Sequence, residues 1–581
     1  MIPAGYISLA ARIYLCRHRF ETLCSYRVRI GLVEADLPPF LGTDLQGAME
    51  MPDATENTGL VPGAAAAGYA DVVEAAGYPP GQGGVKREYD PRLTNEDLAP
   101  LKKQPWGAYN IFAFWMSDVH SVGGYVTAGS LFALGLTSWQ VFICLIVGIV
   151  IVQFFCNLVA KPSQQAGVPY PVASRASFGV IGANIPAIIR GLIAVAWYGV
   201  QTFLAAESLN IVFLKLWPGL APWADVHRHG LLGLSYIGYL SYAILWVLQA
   251  ALFWRGMETI RRFIDLAGPA VYVVMVVLCI YMLNRAHWDV NLNLSSVHLS
   301  GWKLVSTLLG ATATVVAYFS GPMLNFGDFS RYAGKMSSVK RGNFLGLPVN
   351  FVMFSLLTVL TAAATVPVYG KLITDPIETV QRIDNTFVII IGGITFVTAT
   401  VGINIVANFI SPAFDFSHVS PQKISWRMGG MIAAIGSVLI TPWNWYNNAN
   451  AIFWTLSLLG ALIGPLFGIL IADFYLIRKQ KIVVDDLFTL APDGAYHYSK
   501  GYNPAAVKSV VISGVISLAS IIVPKVAGIL HWLPQYGWFV GCGVGFVSYY
   551  FIALKANVAG SADRRAAAAG APTPVMATAT E

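Results

Sequence analysis

Charge is what this sequence has least of. Lys and Arg number 37 and Asp and Glu 30, together 12 % of 581 residues, where soluble domains carry about 25 %. A soluble chain of this length would fold as roughly four domains of about 150 residues, and so few charges could not cover them. With 56 % hydrophobic residues and a mean hydropathy of +0.60, the composition excludes a cytosolic enzyme and a disordered chain. Lipid can cover the surface instead. Cysteine is scarce too: Cys16, Cys24, Cys144, Cys156, Cys279 and Cys542 form no CxxC pair and no metal-ligand spacing. That argues against a disulfide framework and a structural metal. Four of the six lie in apolar stretches, where a thiol acts as a small hydrophobe. The net charge of +7 is not gathered into a patch or stripe, so nucleic acid is not an expected partner. No Walker-type glycine pattern is present, which argues against ATP hydrolysis. No catalytic constellation, organic cofactor or obligate protein partner is indicated.

What the sequence has is long apolar runs. A helix needs about 20 apolar residues to cross the hydrocarbon core. Twelve runs qualify, at roughly 108–134, 138–160, 183–215, 230–253, 267–284, 303–327, 343–369, 386–412, 428–446, 450–475, 507–526 and 534–555. Backbone polar groups cannot stay unpaired in lipid, and runs this long suit helices rather than barrel strands. The expectation is an all-α polytopic membrane protein of 12 transmembrane helices in the cell inner (plasma) membrane. Loops after the even-numbered runs carry Lys161 and Arg175; Arg255, Arg261 and Arg262; Arg331, Lys335, Lys340 and Arg341; Lys423 and Arg427; and Arg478, Lys479 and Lys481. By the positive-inside rule both termini are cytoplasmic.

Residues 1–100 read as a mostly disordered extension, rich in Ala, Gly and Pro over its second half and without a signal peptide. An alternative start at Met49 or Met51 stays open. The tail 561–581 reads the same way.

Polar residues interrupt four of the runs. In the first, Asp118, His120 and Ser121 precede Gly123 and Gly124, the pattern of a discontinuous helix whose freed carbonyls and helix ends hold substrate or a cation. Alternatively Asp118 and His120 face a neighbouring helix. In the third, Trp197 and Gln201 are one turn apart on one face. Trp offers a stacking surface and Gln an acceptor and two donors, suited to an amide or imide edge. A lipid-belt Trp with a Gln bonded across helices is the bland reading. Glu207, further along, is an intramembrane carboxylate and a functional candidate by default; a packing role or salt link near the interface is the alternative. In the sixth, Tyr318 and Phe319 precede Ser320-Gly321-Pro322, which predicts a second break, and Asp328 is a possible pair to a loop Arg. In the eighth, Asn404 and Asn408 share a face, toward a ligand or another helix. Breaks in runs 1 and 6, five apart, match a five-plus-five inverted repeat with the site at its interface. The repeats are 101–284 and 303–475, with two added helices over 507–555.

The pieces WMSDVHSVGGY, PYPVASRASFG, WYGVQTFLAAESLN, FGDFSRY, NIVANFISPAFDF and LGALIGPLFGILIADFYLIRK, in this order, resemble the nucleobase:cation symporter-1 family of hydantoin, allantoin, uracil and cytosine permeases. The resemblance implies a symporter of a planar ring compound, coupled to Na+ or H+, on a five-plus-five (LeuT-like) fold. It implies that Trp197 stacks on the substrate while Gln201 and Asn408 bond to its amide groups. Phe319 falls where the family's hydantoin transporter has a second stacking Trp, Ser121 where it has a Gln facing the site, and Tyr318 where it has a Gly. For a sodium ion, the carbonyl positions match Ser117, His120 and Ala399, but the two hydroxyl positions fall on Gly402 and Ile403. Either substitute ligands such as Asn404, Ser117 or water complete a sodium cage, or protons couple transport with Asp118, His120 or Glu207 titrating. A transporter of thiamine or another vitamin precursor, and a non-transporting membrane sensor on the same scaffold, are the rival functions. A channel is disfavoured, because no selectivity-filter repeat is visible.

Overall fold

The apolar runs coil because lipid offers their backbone N–H and C=O groups no partner outside the helix. The computed structural model describes residues 88–293, 297–446 and 448–558. The extension before residue 88 and the tail from 561 lie outside the described residues. The structure is all-α apart from a two-stranded hairpin, β1 (Gly230–Leu231) and β2 (Leu234–Ser235).

In chain order the helices begin with α1 (Ala108–Val119), α2 (Val122–Ser130), α3 (Ser138–Ala166), the one-turn helices α4 (Tyr170–Ala173) and α5 (Arg175–Phe178), and α6 (Asn184–Leu216). After the hairpin come α7 (Tyr236–Trp254), α8 (Met257–Arg285), α9 (Gly301–Leu324) and the short α10 (Gly327–Ser330). The remainder are α11 (Met336–Tyr369), α12 (Pro376–Gln381), α13 (Thr386–Val419), α14 (Trp426–Leu439), α15 (Ala449–Ile477), α16 (Pro504–Ala527) and α17 (Leu533–Lys555).

Ten helices among the described residues are long and apolar enough to cross a membrane, rather than the twelve expected. Two runs fall short. The first is divided at His120–Ser121 into α1 and α2, neither of them a full crossing. The ninth stops after 14 residues at Leu439, because Thr441 turns into a left-handed conformation and Pro442 opens a 3-10 turn. The break expected at Ser320–Pro322 is also absent. α9 runs on through Pro322 to Leu324. Pro322 has no N–H to give the Tyr318 carbonyl, yet the helix continues for two residues beyond it. The interruption comes later, at Asn325–Phe326, before α10.

Three helices contain a π-turn, at Leu345–Val349 in α11, Val406–Ile410 in α13 and Ala472–Ile477 in α15. Pro348 lies inside the first, where its missing N–H removes a regular bond. The two added helices pack on α15. A Cβ at Gly464 would lie 2.3 Å from the Trp538 carbonyl, and one at Gly468 2.1 Å from that of Cys542. This small-residue stripe lets the α15 and α17 backbones touch.

The folded region begins before residue 101, earlier than expected. The Tyr89 ring stacks on Phe488 at 4.4 Å, and the Asp90 N–H donates to the Phe488 carbonyl at 2.8 Å. Arg175, a residue the charge pattern assigns to a solvated loop, is buried and donates to the Leu93 and Leu487 carbonyls. Arg331 does the same for the carbonyls of Asp97 and Ala99. These guanidiniums hold a strap of chain against the basic end of the bundle.

Candidate functional site

The site is built where α1 gives way to α2. His120 leaves the helical region at φ −84°, ψ 57°, and Ser121 is extended at φ −108°, ψ 156°. The Ser121 Oγ then accepts the Gly124 N–H at 3.0 Å, which caps α2. The expected discontinuity is therefore present, two residues ahead of the glycine pair. Gly123 serves another purpose. A Cβ there would sit 2.7 Å from Gln201 Nε2, so its absence is what lets the Gln201 amide lie against α2.

Four of the substrate-site candidates meet here. The Gln201 Nε2 donates to the Tyr318 hydroxyl at 3.4 Å, and that hydroxyl pairs with Ser121 Oγ at 3.2 Å. The Trp197 ring meets the Tyr318 ring edge-on, with centroids 5.4 Å apart and planes at 87°. Gln201 Oε1 is buried with no hydrogen-bond partner. Phe319 is placed differently. Its ring meets Tyr318 at 5.1 Å and Phe351 of α11 at 5.5 Å, and among the described residues it is Tyr318 whose ring faces Trp197 from α9. The six substrate-site candidates are 0–7 % exposed, so all of them are buried in this conformation.

Asn408 lies inside the α13 π-turn and donates to Asn404 Oδ1 at 3.0 Å. Such turns re-aim side chains and recur at functional sites. Asn404 itself is turned toward α6 and α7. Its Nδ2 is within hydrogen-bond distance of the Tyr198 carbonyl (3.1 Å), Thr202 Oγ1 (3.0 Å) and Gln249 Oε1 (2.6 Å). It is a node between helices, not a group facing the α1 break.

The positions matched to cation-ligating carbonyls come together. Ser117, His120 and Ala399 line one small cavity with Met116, Gly268 and Thr398. A Cβ at Gly402 would lie 3.0 Å from Ser117 Oγ, so the serine hydroxyl stands against the position where α13 lacks one. Ile403 is buried and brings no oxygen. The His120 ring is held on both sides, by Tyr125 Oη at 3.3 Å and Asn350 Oδ1 at 3.0 Å. Asp118 is buried with both oxygens unpartnered. Asp118 and His120 thus do not satisfy each other. Glu207 stands apart: among the described residues its carboxylate accepts from Asn210 on its own helix, at 3.2 Å.

Several residues of this region are not among the sequence candidates. Tyr446, in the link before α15, meets Trp197 at 5.8 Å and pairs its hydroxyl with Thr127 Oγ1 of α2 at 2.6 Å. The cluster WNWYNNAN around it was the available signal. Arg190 is fully buried near the start of α6. A guanidinium within the run IPAIIRGLIAVAW is itself a functional signal.

Gly123→Ala is expected to displace the Gln201 amide and raise the half-saturation constant of uptake, with normal amounts of protein in the membrane. Uptake kinetics paired with surface quantification test this, and wild-type kinetics would contradict the role given to Gly123.

Ten membrane-length helices among the described residues, with a divided first helix beside Gln201 and Trp197, define a multi-pass membrane protein. The comparisons specify it. Residues 99–541 match the family described as permease for cytosine/purines, uracil, thiamine, allantoin. The chain is 33 % identical to the allantoin permease of Bacillus subtilis (strain 168) over 484 residues, covering 80 % of this chain and 94 % of that one. It is 32 % identical to the purine-uracil permease NCS1 of Arabidopsis thaliana over 453 residues, covering 76 % and 73 %. The fold matches Mhp1, a nucleobase-cation-symport-1 family transporter in a closed conformation with bromovinylhydantoin bound, at a TM-score of 0.66, 20 % identity and coverage of 82 % and 99 %. The chain belongs to this permease family, and is a transporter rather than a catalyst.

Proposed function

We propose that this chain is an importer that couples uptake of a small planar amide-bearing ring, such as allantoin, hydantoin, uracil or cytosine, to proton entry. The observation that carries the reading is Gln201 Oε1, a buried acceptor with no partner beside the Trp197 and Tyr318 rings. Buried acceptors without partners are rare and costly. A ring N–H would satisfy this one while the ring stacks on Trp197, with Asn408 and Ser121 on its other polar edges and Phe319 lining the wall behind Tyr318.

Because the site residues are buried in this conformation, transport on this reading requires the site to open to each side in turn, by alternating access. The divided α1–α2 segment is the first crossing and α14 a short ninth, in a five-plus-five repeat with two added helices. The basic loops face the cytoplasm, with both termini, in the plasma membrane. Proton coupling fits the loss of oxygen ligands at Gly402 and Ile403. A sodium-coupled reading has one observation in its favour, the Ser117 hydroxyl against Gly402.

Competition against uptake of radiolabelled allantoin by hydantoin, uracil, cytosine and thiamine tests the substrate class. Inhibition by the small neutral rings and none by thiamine is expected. Inhibition by thiamine alone would overturn the reading.

A further inference from the structure

Three helices of the chamber carry a polar residue seven positions toward the basic end. Arg190 precedes Trp197 by seven residues, Asn325 follows Tyr318 by seven, and Asp415 follows Asn408 by seven. Seven residues are two helical turns, about 10 Å. The three therefore form a second polar layer beneath the chamber, between it and the basic loops. Arg190 Nε donates to Asn325 Oδ1 at 3.0 Å and Nη2 to the Ala407 carbonyl at 3.2 Å, while Nη1 has no partner. Both acceptors are neutral. Asp328 accepts the Tyr170 N–H at 2.8 Å and Asn325 Nδ2 at 3.2 Å. Asp415 is fully buried and neither of its oxygens has a hydrogen-bond partner.

We propose that Asp415 is the carboxyl that takes up and gives up the coupling proton, with Arg190 as the charge that competes for it. This rests on the proton-coupled reading above. The charged and titratable groups around Asp415 are Arg190 from α6, Asp328 from α10 and Tyr170 from α4; Asp118 of α1 and Arg331 lie in reach of Arg190 and Asp328 respectively. Arg190 is thus within electrostatic reach of two carboxyl groups, Asp328 and Asp415, while its hydrogen bonds go to Asn325 and Ala407. Asp328 has donors to support its charge and Asp415 has none. An ionised carboxylate without donors is expensive in such a place, so in the closed arrangement Asp415 is the member that carries a proton. Opening toward the basic end that moves α9 away from α6 and α13, which Asn404 holds together, breaks the Arg190 bond to Asn325. The freed guanidinium and entering water then support an Asp415 carboxylate, and the proton leaves to the cytoplasm after the substrate. The carboxyl goes from neutral to singly negative as it releases one proton to the cytoplasm, and the cycle closes when, in the outward-open state, the Asp415 carboxylate takes one proton from the outside water that enters through the substrate site. Protonation favours the closed state and deprotonation the inward-open one, which is the differential binding that coupling requires.

The test uses the full chain in sodium-free proteoliposomes with radiolabelled allantoin, or radiolabelled uracil where allantoin is not taken up. In the wild type an acid-outside gradient is expected to drive accumulation. Strictly sodium-dependent uptake would overturn the proton reading and this proposal together. In Asp415→Asn, accumulation is expected to fall to its level without a gradient, while exchange of labelled for unlabelled substrate continues. Gradient-driven accumulation that survives in Asp415→Asn overturns the proposal and leaves proton coupling standing. Should Asp415→Asn fail to reach the membrane, Asp415→Glu decides. A displaced midpoint in the pH profile of uptake supports the assignment, and the wild-type midpoint overturns it.

Discussion

Gln201→Ala is expected to raise the half-saturation constant of uptake by about one to two orders of magnitude, with wild-type amounts of protein in the membrane. Leaving a buried polar partner unsatisfied costs about 1–3 kcal/mol, and each 1.4 kcal/mol or so is tenfold in affinity. The effect falls on substrate binding because the amide does little for the fold. Among the described residues its side chain's one hydrogen bond is the long 3.4 Å contact with the Tyr318 hydroxyl, and that hydroxyl keeps Ser121. Substrate affinity and surface expression should therefore separate in this variant. Unchanged kinetics would remove Gln201 from the site.

Asn404→Leu should behave in the opposite way. The side chain joins α6, α7 and α13 through Tyr198, Thr202 and Gln249, and it accepts from Asn408. Leucine fills the volume and makes none of these bonds. Gln249 Oε1 loses its 2.6 Å donor and Asn408 Nδ2 loses its acceptor. Bonds between membrane helices average about 0.6 kcal/mol each in one well-studied protein, so losing several amounts to roughly 1–3 kcal/mol of stability. Thermal unfolding of the purified variant in detergent should show a lowered midpoint. The half-saturation constant should rise as well, because Asn408 is no longer held in its π-turn orientation. A variant with wild-type melting and kinetics would show that the node is dispensable.

The contrast between these residues shows what the sequence could disclose. Trp197 and Gln201 were legible because their chemistry and spacing lie within one helix. The break in the first run was legible too, since polar residues beside glycines have few other uses in lipid. The break falls within that polar cluster, at His120–Ser121; what the run alone did not disclose is that Gly123 makes room for Gln201, a residue 78 positions further along. Pro322 pointed to a break at Ser320–Pro322, whereas the chain leaves the helix three residues later, at Asn325, because the loss of one N–H does not by itself end a helix. The π-turn around Asn408 has no composition of its own, and the role of Tyr318 as the ring against Trp197 depends on how α9 is rotated. Arg190 and Asp415 were visible as charges in or beside apolar runs. Their meeting with Asn325 two turns below the chamber required the register of three helices at once. Two of the twelve runs do not appear as single long helices among the described residues, because His120–Ser121 divides one and the turn at Thr441 ends the other.

The central claim is that the Trp197–Gln201–Tyr318–Ser121 chamber holds a planar ring. The most direct test is a structure of the protein with allantoin or uracil bound. The ring should lie parallel to the Trp197 indole at van der Waals distance, with Tyr318 rotated from its edge-on contact and a ring N–H on Gln201 Oε1. A ring bound elsewhere, with Gln201 still on the Tyr318 hydroxyl and Tyr318 still edge-on to Trp197, would contradict it.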